Sequence, residues 1–128
     1  MSSSDFFARK RRCKSPTVER LAKGWLTEDQ LGWNVSDACD ALGWKFYWLR
    51  KTINSSEGIL DCIIVPVHHR ESRKTLFREL KGHDARGRLG KPTPAQVEAI
   101  HLLTAAGEDA AVWTPADWFS DKIIEELT

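Results

Sequence analysis

Long hydrophobic runs are missing from this chain: none approaches the ~18 apolar residues of a membrane span. The N-terminus opens on polar serines, where a secretory signal would place positive charge and then an apolar stretch. Cysteine is scarce and odd in number, and Cys13, Cys39 and Cys62 are spaced too widely for a disulfide framework or a zinc knuckle. They read as reduced thiols, and a soluble cytoplasmic protein with no membrane partner is expected. The four histidines have no zinc-ligand spacing. Charge of one sign is lacking too: 19 Lys plus Arg oppose 18 Asp plus Glu, a net charge of +1. No global field then draws the protein to nucleic acid or to an acidic membrane, and any attraction has to be local. There is no internal repeat.

What is present suits one compact domain. The chain has 128 residues, 41% of them hydrophobic, enough for one core and little more. Residues 1–26 carry a dense basic run without sustained periodicity and read as a flexible arm; residues 27–128 read as the folded domain. "TEDQ" fits a capping box, Thr27 followed three residues later by Gln30, and Leu31, Val35, Ala38 and Leu42 recur at helical spacing up to Gly43. Strands are expected in "WKFYWLR" (Trp44 to Arg50), in "ILDCIIV" (Ile59 to Val65), apolar enough to be covered on both faces, and in "TLFRELK". "TPAQVEAIHLLTAAG" starts a helix at Thr93 and Pro94, "AAVWT" is a short strand, and "TPADWFSDKIIEEL" is a last helix. The order is α-β-β-β-α-β-α, an α/β domain.

The chemistry gathers around "FRELKG". Residues two apart on a strand share a face, so Glu79 and Lys81 point one way. In the preceding strand the one charged residue is Asp61, costly there if unpaired. A hairpin turning near Arg70 sets Asp61 opposite Glu79. Two adjacent carboxylates repel, and a shared proton, a basic partner or a hard cation resolves the conflict; a divalent metal with Lys81 beside it fits best. An exposed cross-strand ion pair is the plain alternative for Glu79 and Lys81. Glu28 continues the buried stripe of the first helix, or is an acid favoured by the helix dipole. Gln96 extends the stripe of Ile100 and Leu103, or completes the Thr93 capping box. Two basic clusters could grip phosphates: Arg9, Lys10, Arg11, Arg12 and Lys14 in the arm, and Arg86, Arg88 and Lys91 in the loop after Lys81. Trp44, Trp48, Trp113 and Trp118 read as packing residues.

From Glu28 to about Trp118 these motifs, "TEDQ", "ALGWKFYW", "EGILD", "FRELKG", "GRLGKPTPAQ" and "AGEDAAVWTPADW", resemble the virus-type replication-repair nuclease domain, a branch of the PD-(D/E)XK superfamily. Leu60 stands where a proline usually precedes the aspartate, Lys91 and Pro92 look inserted, and Trp48 occupies a frequent histidine position. The resemblance implies a restriction-endonuclease-like core, a central mixed four-stranded sheet flanked by helices. It implies a metal-dependent DNA endonuclease of phage or bacterial type, a Holliday-junction resolvase or flap nuclease; a non-catalytic DNA-binding module of the same fold is the alternative. It implies Mg²⁺ or Mn²⁺ held by Asp61, Glu79 and the main-chain carbonyl of Leu80, with Glu28 completing the shell. Lys81 would orient water or support phosphate charge, and Gln96 would position Lys81 or the nucleophile. Branched or flapped DNA and a second copy in a two-fold homodimer are the expected partners.

Overall fold

The computed structural model describes residues 10, 12–49, 56–67 and 73–128. A short helix α1 (Val18–Ala22) precedes the main helix α2 (Glu28–Leu42). At the head of α2 the Gln30 N–H donates to Thr27 Oγ1 and the Thr27 N–H donates to Gln30 Oε1 at 2.9 Å. This reciprocal cap satisfies two donors that a bare helix start leaves orphaned. Gly43 ends the helix at φ 83°, a left-handed conformation that costs glycine nothing. Helix α3 (Pro94–Ala105) repeats the device with Thr93 and Gln96, and Pro94 occupies the first turn, where its missing N–H is not needed.

Strands β1 (Trp44–Trp48), β2 (Cys62–Pro66), β3 (Leu76–Leu80) and β4 (Asp109–Trp113) form one open sheet in the order β1-β2-β3-β4. The first three make an antiparallel meander; β4 lies parallel to β3 after the crossover through α3. Two short helices follow, α4 (Pro115–Phe119) and α5 (Lys122–Leu127). The chain is thus an α/β fold with a mixed four-stranded sheet flanked by helices. Leu31, Val35 and Cys39 of α2 meet Trp44, Cys62, Ile64, Leu76, Leu80 and Trp113 of the sheet and Ile123 and Leu127 of α5 in a single core. Among the described residues no helix is long and apolar enough to cross a membrane.

The aromatic residues pack, as their sequence context indicates. Trp48 stands edge-on to Trp33 (5.2 Å) and to Phe46 (5.6 Å) and lies over Gly32, where a Cβ would come within 2.3 Å of its ring. A glycine inside a helix costs about 1 kcal/mol against alanine, so the gap at residue 32 is there for the indole.

Four expectations need correction. The second strand begins at Cys62, leaving Asp61 in a bend just before it, and only Cys62 and Ile64 are buried; Ile63 and Val65 stay half-buried, so β2 is covered on one face. The first strand ends at Trp48 instead of Arg50, which lies outside the described residues, as does the turn around Arg70. The last helix is broken at Asp121 (φ 65°). In an unbroken helix Trp118 and Ile123 would project about 140° apart, and the break turns Ile123 and Leu127 onto the core. The described end of the arm is also packed: Leu26 is 1% exposed, and Lys10 pairs with Asp37 and lies over Trp33.

A buried cation missed in the sequence lies on β3. Arg78 is fully enclosed; it donates to Asp109 Oδ1 (2.9 Å), Glu126 Oε1 (3.2 Å) and the carbonyls of Phe77 and Asp109, with its guanidinium 4.9 Å from the Trp113 ring. Trp113 Nε1 donates to the other Glu126 oxygen at 2.7 Å. These bonds tie β3, β4 and α5 together and balance a charge that would otherwise be costly to enclose.

Candidate metal centre

Three segments supply one carboxylate each: Glu79 near the end of β3, Asp61 in the bend before β2, and Glu28 as the first residue of α2. The β2–β3 ladder pairs Cys62 with Arg78 and Ile63 with Phe77, and one further step sets Asp61 beside Glu79. Hydrogen bonds fix the pair: the Asp61 N–H donates to Glu79 Oε1 (3.2 Å) and the Leu80 N–H donates to Asp61 Oδ2 (2.8 Å). Just past the end of β1 the Leu49 N–H donates to the Asp61 carbonyl at 2.7 Å. An extended residue presents its N–H and C=O to the same side, so the Leu80 carbonyl leaves the strand toward Asp61.

Glu28 arrives by a close backbone crossing. Gly82 runs directly beneath the start of α2, where a Cβ would stand 2.2 Å from the Glu28 nitrogen. The His83 N–H donates to the Leu26 carbonyl at 2.7 Å and holds the crossing together. The result is one oxygen from each of Glu28, Asp61 and Glu79 within 4.8 Å of one another, a group able to hold a metal ion. Lys81 Nζ lies 3.2 Å from Glu79 Oε2.

Glu79 is fully buried and Asp61 is 8% exposed. Glu28 is an exposed residue as a whole, yet its carboxyl group is turned into the cluster. Burial and the charge of Asp61, with smaller contributions from Glu79 and a hydrogen bond to Asp61, raise its pKa from 4.5 to about 7 against the pull of Lys81. Three carboxylates against one ammonium leave negative charge in excess when all are ionised, and a cation relieves it. Behind them the Cys62 thiol is pushed well up by burial, then by Asp61 and Glu79, so it stays neutral and adds no soft ligand.

Gln96 is buried, but its Oε1 accepts from the Thr93 N–H at 2.9 Å and no hydrogen bond joins it to Lys81. It is the second half of the capping box. Its helix nevertheless lies against the segment that leads into Asp61: Gly58, at φ 84°, passes so close to Ala95 that a Cβ would lie 2.6 Å from the Ala95 oxygen. Trp48 is half-buried and packs against the core.

Of the basic residues, Arg9 and Arg11 lie outside the described residues. Arg12 is exposed, Lys10 is paired with Asp37, and the Lys14 carbonyl accepts from the Gln30 amide, so the described arm lies along α2. Arg86, Arg88 and Lys91 are exposed in the loop that follows Lys81. Sequence reasoning missed Gly82 and Gly58, whose signal was only a glycine beside a charged residue in "ELKG" and "EGILD". Compared with known proteins, the chain matches no family model, no curated protein and no solved structure.

Proposed function

We propose that this chain is a metal-dependent DNA endonuclease of the PD-(D/E)XK superfamily, similar to its virus-type replication-repair nuclease branch. The observation that carries the reading is the convergence of Glu28, Asp61 and Glu79 within 4.8 Å, with Lys81 at 3.2 Å from Glu79. The helix, antiparallel meander, crossover helix and parallel fourth strand support it, being the arrangement that the resemblance implies.

The donor set fits a hard divalent ion, Mg²⁺ or Mn²⁺, because every side-chain ligand is a carboxylate. Asp61 and Glu79 would hold it, with the Leu80 carbonyl and Glu28 completing the shell. Such an ion would offset charge building on the phosphate oxygens and acidify water. The chain's own residues do the rest. Asp61, fixed by the Leu80 N–H, cannot swing away from Glu79. Lys81, held by Glu79, aims an ammonium at the attacking water or the phosphate oxygens and stabilises charge there. Arg86, Arg88 and Lys91 grip the flanking backbone of a branched or flapped DNA. A second copy in a two-fold dimer would present two such sites to a four-way junction.

Purified protein on fixed linear, flap and four-way DNA in Mg²⁺, Mn²⁺, Ca²⁺ or chelator tests the reading. Asp61→Asn, which keeps an acceptor for Leu80, and Glu79→Ala are expected to abolish cleavage while binding in Ca²⁺ survives; Lys81→Ala slows it about a hundredfold. A wild-type protein that binds DNA like all of its variants and never cuts it would overturn the enzyme in favour of a binding module.

A further inference from the structure

The loop from Gly82 to Gly90 is ordered by contacts that the core does not require. Asp84 Oδ1 accepts from the N–H groups of Arg86 (2.9 Å) and Arg88 (2.8 Å), and its Oδ2 accepts from Arg88 Nε (3.0 Å). The Asp84 N–H donates to the Arg88 carbonyl, the Gly87 N–H to the Asp84 carbonyl and the Gly90 N–H to the Gly82 carbonyl. From α1 the Arg20 guanidinium donates to three successive carbonyls, His83, Asp84 and Ala85, and lies 5.5 Å from the Trp25 ring. Trp25 stacks on His83 and fills the space over Gly87 (φ 80°), where a Cβ would come within 2.3 Å of the indole.

The loop is therefore braced at many points, and its base lies beside the proposed catalytic lysine: a Cβ on Gly90 would be 3.5 Å from Lys81 Cδ. Among the described residues, Arg86 and Lys91 make no ion pair, and the Arg88 side chain uses only its Nε, leaving the terminal guanidinium nitrogens to grip two oxygens of a phosphate. Asp84 is the anomaly. An acid among Arg86, Arg88 and Lys91 repels any polyanion, yet its three accepted bonds are what give the arginines their places.

We propose that Gly82–Gly90 is a preformed clamp for the DNA phosphate backbone, and that Asp84 is its positioning residue, strengthening binding although its own charge opposes it. The identity of the polyanion rests on the nuclease reading above. A clamp already in shape avoids the ordering cost that a mobile arginine loop meets on binding. The two effects of Asp84 have opposite signs, and that makes them separable.

Anisotropy of a labelled four-way DNA in Ca²⁺, over a salt series, compares wild type with Asp84→Ala and Asp84→Asn. Charge alone predicts that Asp84→Ala binds more tightly with a steeper salt dependence. Positioning predicts binding about fivefold weaker, with the salt slope reduced by about one phosphate contact. Asp84→Asn, which keeps an oxygen for the two main-chain N–H groups, should fall between Asp84→Ala and wild type. Binding by Asp84→Ala as tight as wild type or tighter overturns the clamp, as does a wild type that does not bind DNA. If cleavage requires Asp61 while Asp84→Ala binds more tightly, the clamp falls alone. If binding depends on Asp84 but nothing is cut, the clamp stands and the nuclease reading falls.

Discussion

Replacing Gly82 by alanine asks whether the crossing beneath α2 builds the metal centre. The new Cβ would lie 2.2 Å from the Glu28 nitrogen, 2.4 Å from the Thr27 carbonyl carbon and 2.8 Å from the Glu28 Cα. Non-bonded carbon contacts settle near 3.5 Å, so one backbone has to retreat by about 1 Å. None of the three atoms is the end of a flexible side chain, and the Thr27–Gln30 cap and the His83–Leu26 bond brace the crossing. Overpacking of this kind costs about 1–3 kcal/mol, which at roughly 4 °C per kcal/mol lowers Tm by about 4–12 °C. Displacing Glu28 by 1 Å should also slow cleavage about a hundredfold and weaken Mn²⁺ binding. Gly90→Ala is the control, since its nearest neighbours, Lys81 Cδ at 3.5 Å and the Gly82 oxygen at 3.7 Å, are ordinary contacts. Scanning fluorimetry and Mn²⁺ titration calorimetry read both variants without needing an activity. A Gly82→Ala protein with wild-type Tm and Mn²⁺ affinity would refute the argument that this crossing sets the site.

Other perturbations probe separate links. In chelator, Glu28 keeps a proton in the folded protein up to about pH 7 that it releases near pH 4.5 when unfolded. The folded state then binds more protons across that window, so Glu28 makes stability fall as pH rises from 4.5 to 7. Glu28→Gln removes this contribution, and a wild-type minus variant Tm difference that is flat or rising over the same range contradicts it. Arg78→Met strands Asp109 and Glu126, whose side chains are 47% and 31% exposed and can still hydrate. The expected loss is about 3 kcal/mol, the low end for breaking a buried pair, read by urea denaturation; a neutral result would show that the network holds nothing. Gly32→Ala should destabilise by about 1–3 kcal/mol by colliding with Trp48, whereas helix propensity alone would stabilise by up to about 1 kcal/mol. The sign of the Tm change decides between them.

Much of the fold was legible in the chain because its signals are local. The Thr27–Gln30 and Thr93–Gln96 boxes, Pro94 and the left-handed Gly43 each act within a few residues, and the structure carries them where the pattern puts them. The register that brings Asp61 beside Glu79 was also legible, since residues equally far from a hairpin turn face each other and a turn near Arg70 gives the pairing that the β2–β3 ladder shows. Tertiary structure alone decided the rest. Only when the chain leaving β3 passes beneath the start of α2 does Gly82 become the residue that delivers Glu28, and only against Asp109, Glu126 and Trp113 does Arg78 become a core residue. Asp84 likewise reads as one more acid until the loop closes around it. Contacts between distant segments depend on shape and burial, which no short window of sequence records.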